Sequence, residues 1–494
     1  MEIKLLQKES PVWVAGDPIH QQVSFHAEAV VPDTAEDVQE IVWTRGGLLL
    51  KGKEPGLHAA SVTGEAWASV LYLTENGQLE RIRLRKEFEI VFEAETSDPD
   101  ALPHLAWYLS GLQGKLLNPR KLSVSFEVQA TLRSFQRGSM LTETALPEGE
   151  WRGLHVLKEQ TSALALTAVS EKQFTLREQL PFSADQIALS QIDAEELNFA
   201  LQGTEQVGSR CIVKGELQLQ LLGRDDSKHP AKAAFRVPFS QLLDITEDAL
   251  DQSSIRIEPN SVYLDWTEGS GSERSLDLEV HALLQFSSFT RRDVITIRDA
   301  YSTAMPLSAE QCDLALLRSA EARTCVFSAD ASVPMPDDLQ ELLAAEAKTG
   351  PLERKEEIAR IPLYLDILYR SSDGSLAAAR RSAKLDVTDI PADAVILSQR
   401  MSSFSASQEG AEIRFSGAAE IRWERTETEK ISTLSLLRLD EEQAWSRTES
   451  PSVYLVRRGG ESLWNLAREY RSSEELIRSC NAEDAKLLLI PAET

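Results

Sequence analysis

Three stretches of this chain alternate apolar and polar side chains over six apolar positions, a pattern that a helix of period 3.6 cannot gather on one face. Leu122, Val124, Phe126, Val128, Ala130 and Leu132 form the first. Leu276, Leu278, Val280, Ala282, Leu284 and Phe286 form the second, and Ile413, Phe415, Gly417, Ala419, Ile421 and Trp423 the third. A period of two turns one face of each segment into a core and the other into water, as in an antiparallel sheet. The expected fold class is therefore mainly β.

The alternating segments belong to a longer repeat. Ahead of each lies a second strand pattern: Ala66, Ala68, Val70 and Tyr72, then Leu217, Leu219, Leu221 and Gly223, then Leu363, Leu365, Ile367 and Tyr369. A glycine follows both tyrosines five residues on, Gly77 and Gly374, where a turn needs a permissive backbone. Earlier still comes a short amphipathic element opened by proline, at Pro32 to Val42, Pro181 to Ile192 and Pro336 to Leu343, which reads as a first helical turn with acidic residues near its start. The Tyr72, Gly223, Tyr369 series steps by 151 and 146 residues, and the Ala130, Ala282, Ala419 series by 152 and 137. Three tandem β-rich units are expected, at 12–140, 150–295 and 300–435. Gly138 to Gly153 and Glu441 to Ser452 are the candidate linkers, and Gly269-Ser270-Gly271-Ser272 a candidate hairpin tip.

Composition narrows the function classes. The formal charge is -26, of which the last 44 residues carry -1 from six basic and seven acidic side chains, so the acidity belongs to the larger body. Such a surface repels phosphate backbones and anionic lipid, which argues against nucleic acid or membrane as the main partner. The first residues hold no apolar core of a secretory signal, and no run approaches the length of a membrane span, so a cytoplasmic protein is expected. Cys211, Cys312, Cys325 and Cys480 show no C-x-x-C spacing and read as buried free thiols, although Cys312 and Cys325 lie close enough in sequence to approach one another.

The segment 451–494 has its own order of parts. Val453-Tyr454-Leu455-Val456 reads as a strand, Arg457 to Ser462 as a glycine turn, and Leu463, Leu466, Ala467 and Tyr470 as the apolar stripe of a helix. Ser472 and Glu475 stand in capping-box spacing ahead of a second helix with Leu476, Ile477 and Cys480. Asn481 ends it, and Leu487 to Pro491 is a closing strand. This βααβ order, with Gly459, Ser462-Leu463-Trp464, Leu466-Ala467, Tyr470, Leu476, Asn481 and Leu489-Ile490-Pro491, resembles the LysM domain, a carbohydrate-binding module. Gly460 stands where that family usually carries Asp, and the loop after Asn481 lacks the usual Pro-Gly turn. Those two loops form the family's glycan groove, so the resemblance implies the fold more strongly than sugar binding.

Upstream, Leu116-Leu117-Asn118-Pro119-Arg120-Lys121-Leu122, Val213-Lys214-Gly215-Glu216-Leu217, Val237-Pro238-Phe239-Ser240 and Asp299-Ala300-Tyr301-Ser302 resemble SPOCS-domain proteins of spore-forming Firmicutes. The resemblance implies a spore-coat morphogenetic protein with a C-terminal LysM domain. It would act in the mother-cell cytoplasm and at the forespore surface, with the coat protein called stage IV sporulation protein A as partner.

No catalytic constellation is legible. His20, His26, His58, His104, His155, His229 and His281 never stand at metal-ligand spacing, and G-x-x-x-x-G-K-[ST], G-x-S-x-G and H-E-x-x-H are absent. The expectation is a non-enzymatic protein with no metal and no cofactor. Recognition falls to a few residues. Arg120 either pairs with a carboxylate across its unit or binds a partner. Arg457-Arg458 is a basic edge, open to an acidic surface or simply solvated. Trp464 lies off the apolar stripe, where it either stacks on a ligand or packs on the module's own strands. With Gly459, Gly460, Glu461, Ser462 and Asn481 these form the candidate binding site of the LysM-like segment, catalytic residues: none. A peptidoglycan-binding protein of cortex or wall and a cell-wall hydrolase are the alternative readings.

Overall fold

The computed structural model describes the chain except residues 57, 94–97, 99, 183–188, 227, 246–250, 269–273, 356–357, 446–452, 457–461, 483–484, 486 and 492–494. The fold is mainly β: twenty-four strands, two short α-helices and one 3-10 turn among the described residues. No helix among them is long and apolar enough to cross a membrane.

The three alternating segments are the spine of the molecule. They lie in the strands Lys121–Ala145, Arg274–Ser302 and Glu412–Leu439. Each is paired antiparallel on both sides by the same kinds of neighbour: a strand from early in the same stretch of chain and the hairpin partner that immediately precedes it. Thus Phe126 lies between Phe25 and Leu112, Val280 between Leu176 and Val262, and Phe415 between Ala331 and Ala406. Phe126, Val280 and Phe415 are all at most 1% exposed, each in the apolar cluster of its own stretch. Alternation at period two is what permits this, because a spine strand must fill one core while its other face meets water or a neighbouring sheet.

Between the early strand and the hairpin, each stretch inserts a meander. The middle strands are Ala59–Thr74, Arg210–Arg224 and Ile358–Ser371, the ones aligned on Tyr72, Gly223 and Tyr369. Gly77 and Gly374 sit in the turns that follow, with φ of +71° and +86°, a region closed to most L side chains. Gly223 replaces tyrosine for a different reason: a Cβ there would collide with the carbonyl oxygen of Gln191 on the adjacent strand.

The first and third proline-opened elements are not helices. Pro32 accepts from the Ala35 amide in a turn, after which Val38–Glu54 runs as a strand. Pro336 accepts from Leu339, and Leu339–Thr349 is again a strand. In the second stretch, 183–188 lie outside the described residues, and Gln191–Val207 is a strand. A turn and a helical start share proline and acidic residues, and pairing with the middle strand of the meander satisfies the backbone instead.

Half of the expected linker Gly138 to Gly153 is also sheet. Residues 138–145 continue the first spine and pair with Leu6–Ala15, and the spines run past the expected boundaries at 140, 295 and 435. The candidate hairpin tip at 269–272 and most of the expected tether at 441–452 lie outside the described residues, apart from the 3-10 turn Glu441–Gln443 and the two residues after it.

The three stretches share interfaces rather than hanging from joints. Leu6–Ala15 and Lys121–Ala145 lie in one seven-stranded sheet with Leu154–Pro181 and Arg274–Ser302. Buried ion pairs cross between stretches: Arg133 and Arg256 both meet Glu424, Arg45 meets Glu346, which the exposed Lys232 also reaches, and Arg224, which chelates Asp193, also donates to the Leu79 carbonyl. A buried charge is tolerated only where its partner is held in place, so these pairs tie the sheets into one arrangement.

The thiols differ from expectation as well. All four are free, but only Cys211 is fully buried; Cys312 and Cys325 are half-buried and Cys480 is exposed. Cys325 accepts a hydrogen bond from the Trp423 indole at 3.3 Å.

Candidate functional site

The residues with the most recognition chemistry lie at the C-terminal end. Val453–Val456 pairs antiparallel with Leu487–Ile490, and the helices Leu463–Glu469 and Glu474–Cys480 lie between them in sequence. Ser462 caps the first helix, its hydroxyl accepting from the Asn465 amide at 3.1 Å. The second cap is Ser473, which accepts from Leu476 at 3.2 Å, and not Ser472. Ser472 instead donates its hydroxyl to the Pro491 carbonyl at 2.6 Å, which fixes the chain beyond the closing strand.

Asn481 has a structural duty. Its amide donates to the carbonyls of Ile477 and Leu489 and its side-chain oxygen accepts from the Leu489 amide, all at 2.6–2.7 Å. Every polar direction of that side chain but one lone pair is thereby used to lock the second helix to the last strand. Arg457, Arg458, Gly459, Gly460 and Glu461 lie outside the described residues.

Trp464 is only 8% exposed, and its burial is not against the module's own strands alone. The indole N–H donates to Oδ2 of Asp299 at 2.9 Å, and the ring stands edge-on to Tyr301 with centroids 4.7 Å apart. Tyr301 is stacked on its other side by His155 at 4.9 Å and donates its hydroxyl to the Ser472 carbonyl at 2.9 Å. Arg468 reaches the same Asp299 oxygen at 2.8 Å. The Trp445 amide donates to Ala304, and the Arg471 guanidinium lies 3.6 Å over the Trp445 ring. The C-terminal segment is therefore seated on the end of the second spine, on Asp299-Ala300-Tyr301, and shares one apolar cluster with it.

No family model, curated protein or solved structure matches the chain. The geometry alone carries the functional reading.

Arg120 takes its structural role. It pairs with Asp37 at 2.9 Å and Asp33 at 3.3 Å and donates to the carbonyls of Pro32 and Ala35, pinning the proline turn to the hairpin Asn118–Lys121. Asp299, Tyr301 and Trp445 were not predicted to meet the C-terminal segment. For Asp299 and Tyr301 the only sequence signal is an Asp-Ala-Tyr run at the end of an alternating strand, which does not reveal a partner more than 160 residues away.

Proposed function

We propose that this chain is a non-enzymatic scaffold of the spore coat, built from three tandem SPOCS-like units and a LysM-like C-terminal module that binds protein. What supports the reading is one architectural observation: the strand, meander and hairpin order occurs three times ahead of a βααβ segment. Tandem β-rich units ahead of a LysM-like segment are the arrangement by which the chain resembles the clostridial spore-coat morphogenetic protein SipL. Each meander also ends in a strand paired on one side only, Leu79–Glu93, Pro230–Asp244 and Leu376–Val387. Exposed cations on these edges, Arg85, Arg236 and Lys384, discourage indiscriminate strand addition while leaving surface for specific assembly, whereas Arg81, Arg83, Lys232 and Arg380 are engaged with neighbouring strands.

On this reading the partner is the coat basement protein, stage IV sporulation protein A, and the place is the mother-cell face of the forespore. The peptidoglycan alternative is less well supported. Trp464, the aromatic best suited to stack on a sugar, already faces Tyr301, and the Asn481 amide is committed within the module.

A fluorescent fusion of the full chain in sporulating cells tests the proposal. A ring around the forespore that is lost on deletion of 451–494 is the expected result. Unchanged localisation after that deletion, together with tight retention of the full chain on purified peptidoglycan, overturns it.

A further inference from the structure

Where the three stretches meet, the sheets leave a partly open cavity of about 530 Å³, within the size range of small-molecule sites. Its wall takes Trp107 from the first stretch, Arg256, Ile257 and Glu258 from the second, and Lys348 and Arg422 from the third. On a chain of net charge -26 such a concentration of cations is out of character.

Most of these charges are already matched. Arg256 pairs with Glu424 at 2.6 Å and Lys348 with Asp366 at 3.0 Å. Two further wall cations, Arg380 and Arg400, pair with Asp366 and Glu420 at 2.7 and 3.0 Å. Arg422 is the exception. It donates to the Ile255 carbonyl and makes no close ion pair among the described residues, Glu424, Glu258 and Glu420 acting on it only from a distance. Burial and the adjacent Arg256 push its guanidinium down to about 10, which leaves it charged at neutral pH. Glu258, also in the wall, is pushed up to about 8 by burial and is mostly a neutral acid there.

A largely desolvated guanidinium with no close ion-pair partner is unfavourable, and an anion entering from solution relieves it. We infer that the cavity binds a small organic carboxylate, its oxygens on Arg422 and its apolar body against Trp107 and Ile257. A carboxylate suits the site because its plane matches the guanidinium fork. The inference is independent of the coat-scaffold reading, since nothing in it involves the C-terminal segment.

Isothermal titration of the full chain at neutral pH with indoleacetate, and with indoleacetamide as the uncharged control, tests it. One indoleacetate per chain is expected, with the amide at least tenfold weaker. Arg422→Met should weaken the acid at least tenfold and leave the amide unchanged. Removing an unpaired cation spares the fold, which a thermal melt verifies. Ser398→Trp, which fills the cavity from its wall, is the second variant and should abolish binding. No binding of indoleacetate at millimolar concentration, equal binding of acid and amide, or full affinity in either variant overturns the inference.

Discussion

The Trp464 indole and the Asp299 carboxylate meet at 2.9 Å, although 165 residues separate them in the chain. This contact places a C-terminal module, read from sequence as hanging on a tether, on the end of the second spine strand. The same carboxylate holds Arg468, so one side chain serves two contacts.

Asp299→Ala should loosen that seat. The Arg468 side chain is more than half exposed and its ion pair is worth little. The buried indole bond to a charged acceptor contributes more, about 1.5–3 kcal/mol. Limited proteolysis followed by mass spectrometry should show the C-terminal fragment released at least about tenfold faster, the lower end of that range. Release at the wild-type rate would mean that the apolar contacts alone hold the module.

Phe126→Ala and Phe415→Ala should be about equally damaging, since each ring fills the same place between a leading strand and a hairpin partner. A buried Phe truncated to Ala costs about 3–5 kcal/mol. Urea unfolding should show comparable losses for both, and a large loss in one with none in the other would break the equivalence of the two positions.

Glu424→Leu should destabilise the junction of the three stretches by about 3–5 kcal/mol, because it strands Arg133 and Arg256 without their shared anion. Burial alone would raise the Glu424 carboxyl, but Arg256 and Arg133 outweigh it and hold the group below its ordinary value. Its contribution is thus present above the unfolded pKa and fades as pH falls through the folded one. Urea midpoints of wild type and variant should therefore converge in acid and separate near neutrality.

Glu258 carries the opposite sign. Burial raises its carboxyl to about 8 from an unfolded value of 4.5, so the folded chain holds a proton that the unfolded chain releases between those pH values. Stability from this group is full below pH 4.5 and is lost as pH rises to about 8. Glu258→Gln removes the titration and should flatten the fall in melting temperature between pH 5 and 8. The variant should end on the order of 1–3 °C above wild type at pH 8, given the large unfolding entropy of a chain this long. An identical slope in both proteins would show that Glu258 titrates as an ordinary exposed carboxylate.

The sequence by itself determined the β class and the positions of the three spines, because a period of two is a local property that each strand expresses wherever it pairs. It also determined the turns at Gly77 and Gly374, where the backbone conformation excludes other residues, and the two C-terminal helices with their closing strand. It misread the first and third proline elements, since the same residues open a turn or a helix and only the neighbouring strand decides between them. It could not reveal that Ser473 rather than Ser472 caps the last helix, because two adjacent serines offer the same hydroxyl and the choice followed from where Pro491 came to lie. Tertiary structure alone decided the fate of the charges and of Trp464. Glu424 finds Arg133 and Arg256, and Trp464 finds Asp299, through contacts made only once the sheets have packed, and such pairings leave no periodic trace along the chain.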